Sequence, residues 1–135
     1  MKVRLSVLAL LCCLSVSAVF AQTAPKPQSQ FAQLDGMRVH YLNYGRGSEA
    51  LVFIHGWTCN LKFWKANIPA FVDHTRVIAI DLPGHGESDK PEIRYSMDLF
   101  AQAIDAVLRD AKVERVTLVG HTNLAALLPQ DASAL

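Results

Sequence analysis

Apolar and polar positions in this chain first alternate and then run together. Met37-Arg38-Val39-His40-Tyr41-Leu42 alternates with a period of two, as a strand with one covered face does, and Asp35-Gly36 before it is a hairpin turn signal. Tyr44-Gly45-Arg46-Gly47 closes that strand. Three short runs follow: Leu51-Val52-Phe53-Ile54, Val77-Ile78-Ala79-Ile80 and Val116-Thr117-Leu118-Val119. They are rich in β-branched residues and too short for helices, the pattern of strands buried on both faces of a parallel sheet. Helical spacing fills the gaps. Residues 61–68 predict a short helix stopped near Pro69. Residues 96–111 predict a longer one, with Met97, Phe100, Ala101, Ile104, Val107 and Leu108 on one face, Ser96 as its cap and Asp98 at the positive end of its dipole. Strand, helix, strand, helix, strand is the order of an α/β layered fold.

Before this pattern the chain is different. Lys2 and Arg4 precede a short apolar stretch over residues 5–16, and Val19-Phe20-Ala21 offers a cleavage site, so residues 1–21 read as a secretory signal peptide. The apolar stretch falls short of the ~20 residues that a bilayer core requires. Cys12 and Cys13 leave with this leader, and Leu11 is larger than the residue lipoprotein processing needs at that place. The expected location is secreted or periplasmic, with no membrane attachment after cleavage. Residues 22–34, with Pro25 and Pro27 in a polar stretch, read as a linker.

The whole chain has 135 residues, 51% apolar and 19% charged, which fits one globular domain. Loss of the leader leaves Cys59 as the only cysteine, so the mature chain holds no internal disulfide. It also removes two of the 13 Lys and Arg, against 12 Asp and Glu. A near-neutral balance gives no electrostatic case for nucleic acid or an anionic membrane. The expected partner is a small-molecule substrate or ligand.

In α/β sheets chemistry gathers beyond the carboxyl ends of the strands. Each apolar run here ends in a distinctive loop: His55-Gly56-Trp57, then Asp81-Leu82-Pro83-Gly84-His85-Gly86-Glu87-Ser88-Asp89, then Val119-Gly120-His121-Thr122. In this order and spacing, over residues 31–122, they resemble the α/β-hydrolase family: its oxyanion turn, its D-x-x-G-x-G-x-S loop and the approach to its nucleophile elbow. The resemblance implies an incomplete α/β-hydrolase sheet over residues 35–122, mostly parallel, with an N-terminal antiparallel hairpin and flanking helices. It implies His55, Gly56 and Gly120 as turn-forming residues, Thr122 at the nucleophile position, and the backbone N–H groups of Trp57 and Asn123 as oxyanion donors. It implies no cofactor. The 81–89 loop is expected to be structural, with Asp81 or Ser88 bonding backbone groups. A metal site from His55, Asp81 and His85 lacks ligand spacing. Trp57 is a candidate pocket wall, while Phe63 and Trp64 are expected to pack a helix on the sheet. His40 and His74 read as strand or surface residues, and nothing near Cys59 in sequence activates its thiol.

The chain departs from the family at the elbow. Gly120-His121-Thr122-Asn123-Leu124 stands where the family has G-x-S-x-G, with a branched residue on a strained turn and Leu124 in place of a small residue. Residues 123–135 form a tail without resemblance, containing Asp131 and no histidine, so the family's general base is missing from it. The abrupt change points to a frameshift or early stop in a longer ancestral gene. The expected function is that of a truncated hydrolase of ester-like substrates, inactive alone. A ligand-binding or interaction module is the alternative. Thr122 supports neither dehalogenation nor epoxide opening, for which related families place an aspartate at this position. The strand over residues 115–119 would lack its outer partner, leaving an edge open to self-association.

Overall fold

The computed structural model describes residues 26–121; residues 1–25, which include the expected leader, and residues 122–135, which include Thr122 and Asn123 at the expected elbow, lie outside the described residues. Strands β1 (Gln28–Leu34), β2 (Met37–Tyr44), β3 (Glu49–Ile54), β4 (Val77–Ile80) and β5 (Arg115–Gly120) form one sheet in the order β1-β2-β4-β3-β5. Strand β3 runs parallel to β4 and β5, while β1–β2 and β2–β4 are antiparallel. The sheet is a mixed α/β sheet: the three apolar runs pair in parallel as they predict, and the N-terminal antiparallel hairpin is the one that Asp35-Gly36 signals.

The hairpin begins earlier than expected. Residues 28–34, assigned to the linker by their polarity, are strand β1. Ala32 and Leu34 are buried, whereas Phe31 and Gln33 are exposed. An outer strand with one solvated face needs apolar residues only at alternate positions, so it looks like a polar linker. Asp35 and Gly36 join it to β2 with φ of 48° and 81°, the left-handed pair that a two-residue hairpin turn requires.

Alternation along the strands builds two cores. Val52, Ile54, Ile78 and Ile80 face helix α1 (Met97–Asp110) and meet its Phe100, Ile104 and Val107. Phe100, 1% exposed, contributes about 2–3 kcal/mol by burial. Phe53, Val77 and Ala79 face the other side, against Leu61, Trp64, Ile68 and Val72. Ser96 Oγ accepts from the Leu99 N–H at 3.2 Å, the predicted cap. The helix is rolled from its predicted face: Ala103 and Ala106 are buried, while Met97 and Ala101 are exposed. Its two inward alanines let it lie close to the sheet. Its end is a Schellman turn, with Val113 N–H on Leu108 O and Lys112 at φ 54°.

The predicted 61–68 helix is instead a pair of 3₁₀ turns, Leu61–Ala66 and Ile68–Ala70. Pro69 has no N–H to continue an α-helical ladder, and Leu61 and Trp64 point inward at the three-residue spacing of a 3₁₀ turn. Asn60 Oδ1 caps the first turn by accepting from Lys62 N–H at 3.0 Å. Strand β5 differs from β3 and β4. Its apolar run predicts burial on both faces, yet Val116, Leu118 and Val119 are only half-buried, because no described strand pairs with its outer side.

Candidate functional site

The parallel register brings the carboxyl ends of β3, β4 and β5 together. Ile54 stands beside both Ile80 and Gly120, and His121 N–H donates to Ile54 O at 3.2 Å. The turn His55-Gly56-Trp57 and the approach Gly120-His121 therefore leave the sheet from neighbouring strands, on the same edge. The turn is tight: Cys59 N–H donates to Gly56 O at 3.2 Å, and Thr58 adopts φ 64°, a left-handed conformation uncommon for a branched residue. Trp57 is 60% exposed and its ring lies 5.5 Å from His85 and 6.1 Å from Phe100. Trp64 packs on Phe53 as expected, at 4.9 Å. Phe63 does not pack on the sheet. It is exposed and lies 4.5 Å from the ring of His121, at the open end of this edge.

His55 serves the turn. It is fully buried, and its Nε2 accepts from Leu82 N–H at 3.1 Å. Nδ1 therefore carries the ring proton and donates it to Gly56 O at 2.8 Å. Burial pushes its pKa down, outweighing the backbone bond to Gly56, so the ring stays neutral. Both nitrogens are bonded to backbone, which leaves neither for a metal or a substrate proton. His85, half-buried beside it at 5.1 Å, points Nδ1 at Pro83 O at 3.0 Å. Among the described residues no three His, Cys, Asp or Glu side chains converge as a metal site.

The 81–89 loop is a structural hub, as its turn residues predict. Asp81 Oδ1 accepts from Leu61 N–H at 2.8 Å, and Oδ2 accepts from Glu87 N–H at 3.0 Å. Ser88 Oγ donates to Asp81 O at 2.6 Å and accepts from His40 N–H at 2.8 Å. Gly86, at φ 51°, lies so close to Asp81 that a methyl group there would overlap the carboxylate. Gly84 gives way in the same manner to the Tyr95 ring, which an added Cβ would meet at 2.8 Å. Asp89 closes the loop onto β2. It accepts from the backbone and side chain of Arg38, whose bonds hold its carboxyl below the usual carboxylate range.

His40 is the residue that sequence reasoning undervalued. It lies in β2 as expected, but it is 2% exposed and its Nδ1 sits 2.8 Å from Asp81 Oδ2. Its Nε2 lies 2.9 Å from Ser29 Oγ on β1. The antiparallel β2–β4 pairing brings it there: Tyr41 faces Ile80, and Asp81 N–H donates to His40 O at 3.0 Å. Nothing local in the sequence discloses that pairing.

Known proteins are similar to this chain. The alpha/beta hydrolase fold family model matches residues 49–122. The dihydrolipoyllysine-residue acetyltransferase component of the acetoin cleaving system of Pseudomonas putida is 35% identical over 123 residues, covering 85% of this chain and 33% of that protein. The non-heme chloroperoxidase CPO-A1 of Kitasatospora aureofaciens is 39% identical over 89 residues, covering 65% of this chain and 32% of that protein. Among solved structures, Est816, described as an N-acyl homoserine lactone degrading enzyme, superposes with a TM-score of 0.70 at 34% identity, over 77% of this chain and 41% of that one. This chain thus spans about a third of the length of the relatives it matches.

Proposed function

The chain belongs to the α/β-hydrolase fold family, and from that premise we propose that it carries the oxyanion half of a site for ester-like carbonyl substrates and that this half-site, by itself, does not turn them over. The observation that carries this proposal is the shared edge at which the His55-Gly56-Trp57 turn and the Gly120-His121 approach leave β3 and β5. A carbonyl seated there would meet the Trp57 N–H, with the N–H of Asn123 as second donor and Thr122 at the nucleophile position. Est816, as a lactone-degrading enzyme, acts on a cyclic ester and supports this substrate class.

Attack by a hydroxyl requires a base to take its proton. After Thr122 these 135 residues contain Asp131 and no histidine. His55 has no free nitrogen, since one accepts from Leu82 and the other donates to Gly56. A substrate bound here is polarised without the histidine that the family places after its nucleophile. The test is hydrolysis of an activated ester by residues 22–135 and by the Thr122→Ser and Thr122→Ala forms. Equal rates are expected in all three. A rate that rises with serine and disappears with alanine overturns the proposal, because a base must then reach residue 122.

A ligand-binding module is the alternative, and one observation favours it. An apolar cavity of about 370 Å³ lies between Leu42, Tyr44, Leu61, Ile68 and Val72 on the Trp64 side of the sheet, with Lys62 at its lining. The half-buried outer side of β5 supports self-association as well, which sedimentation would detect as concentration-dependent mass. Residues 1–21 are proposed to direct export. Exported protein beginning at Gln22 would support this, and retention of Met1 would contradict it.

A further inference from the structure

A second set of chemistry-bearing groups stands toward the opposite edge of the sheet from β5. It consists of Ser29 on the outer strand β1, His40 on β2 and Asp81 at the end of β4. Their hydrogen bonds run in one line. An ionised carboxylate only accepts, so the 2.8 Å contact between Asp81 Oδ2 and His40 Nδ1 places the proton of the neutral ring on Nδ1. Nε2 is then an acceptor, and the Ser29 hydroxyl 2.9 Å away donates to it. Hydroxyl, imidazole and carboxylate in this order form the arrangement that turns a hydroxyl into a nucleophile.

Each member is held in place. Asp81 is fixed by the N–H groups of Leu61 and Glu87. The His40 side chain, 3% exposed, lies under the Phe31 ring at 5.0 Å, with its backbone N–H on Ser88 Oγ. Glu87 Oε2 lies 3.7 Å from His40 Nε2, where it stabilises the imidazolium formed when the ring takes a proton. Ser29 itself is exposed, so a substrate can reach it. Strand β1 has no described neighbour on its outer side, so no described strand covers Ser29.

We propose that Ser29 is a nucleophilic hydroxyl, activated by His40 and Asp81, that accepts acyl groups from small activated esters. Ser29 Oγ bonds to the acyl carbon and its proton passes to His40 Nε2. The ester C–O bond breaks, and the leaving alcohol or phenol departs with that proton. Water then releases the acid and frees Ser29. None of these steps uses residue 122.

The test treats the full chain, in a Thr122→Ala background, with p-nitrophenyl acetate, and follows nitrophenol release together with peptide mapping of the acetyl group. Acetylation is expected on the peptide containing Ser29, with its loss in Ser29→Ala, a change at an exposed position of an outer strand. His40→Gln, which retains Ser29, is expected to slow acetylation by about a hundredfold. Circular dichroism confirms that each variant is folded. If His40→Gln is unfolded, Ser29→Ala decides alone. Acetyl groups found only on lysines, or labelling unchanged by Ser29→Ala, overturn the proposal. The Thr122→Ala background keeps this result separate from any activity at the oxyanion edge.

Discussion

His40 and His55 are equally hidden from water, yet their surroundings give them opposite uses. His55 accepts from one backbone N–H and donates to one backbone carbonyl, both within the loops that it joins. It is a neutral strut. His40 lies between a carboxylate and a hydroxyl, with one nitrogen toward each. It is a relay. Burial therefore does not decide whether a histidine can move a proton, whereas the identity of its two partners does. The edge that carries the His55-Gly56-Trp57 turn holds the strut, and the relay lies on β1, β2 and the end of β4.

The two histidines are coupled through the 81–89 loop, and the largest expected effect comes from disturbing that link. Gly86→Ala places a methyl group into the Asp81 carboxylate at a left-handed φ of 51°. A loss of about 3 kcal/mol or more is expected from overlap and strain together, measured by denaturant unfolding. A loss under about 1 kcal/mol would mean that Asp81 moves freely and does not fix His40.

His55→Leu separates strut from relay. It leaves Leu82 N–H and Gly56 O without their partners in a buried place, for a loss of about 2 kcal/mol. The pH dependence carries the same information. Burial lowers the folded pKa of His55 below its ordinary 6.5, so below that pH the unfolded chain binds a proton that the folded chain refuses. The stability from the neutral ring is complete above about pH 6.5 and is lost as pH falls toward the lower folded value. The slope from this group is at most about 1.4 kcal/mol per pH unit. In His55→Leu this component of the slope should vanish. An unchanged slope would assign the acid sensitivity to other groups.

Ser96→Ala gives the smallest effect and serves as a control. It removes the cap of α1 and should cost about 1 kcal/mol with no change in the slope attributed to His55. A change in that slope would show that the helix and the loop are one cooperative network.

Much of the frame was legible in the residues. Continuous runs marked β3 and β4, Asp35-Gly36 marked the hairpin, and Ser96 marked the start of α1. Local chemistry determines these features. Strand β1 was read as linker because a strand with one solvated face needs only Ala32 and Leu34 to be apolar. The relay was hidden for a different reason. Ser29 and His40 meet across the β1–β2 hairpin, but Asp81 joins them only through the β2–β4 pairing, which no local pattern encodes. A motif marks His55 and Gly56, but it does not say that both His55 nitrogens are engaged, and Gly120, expected to form a turn, is the last residue of strand β5.

Nitrogen-15 NMR of the imidazole rings tests the contrast most directly. His55 should show a neutral ring with the proton on Nδ1, and its signals should titrate at lower pH than an ordinary imidazole, since burial pushes its pKa down. His40 at neutral pH should show a protonated Nδ1 shifted by a charged acceptor, and this shift should disappear in Asp81→Asn. A His55 ring that titrates near its ordinary value, or a His40 ring indifferent to Asp81, would contradict the assignment of strut and relay.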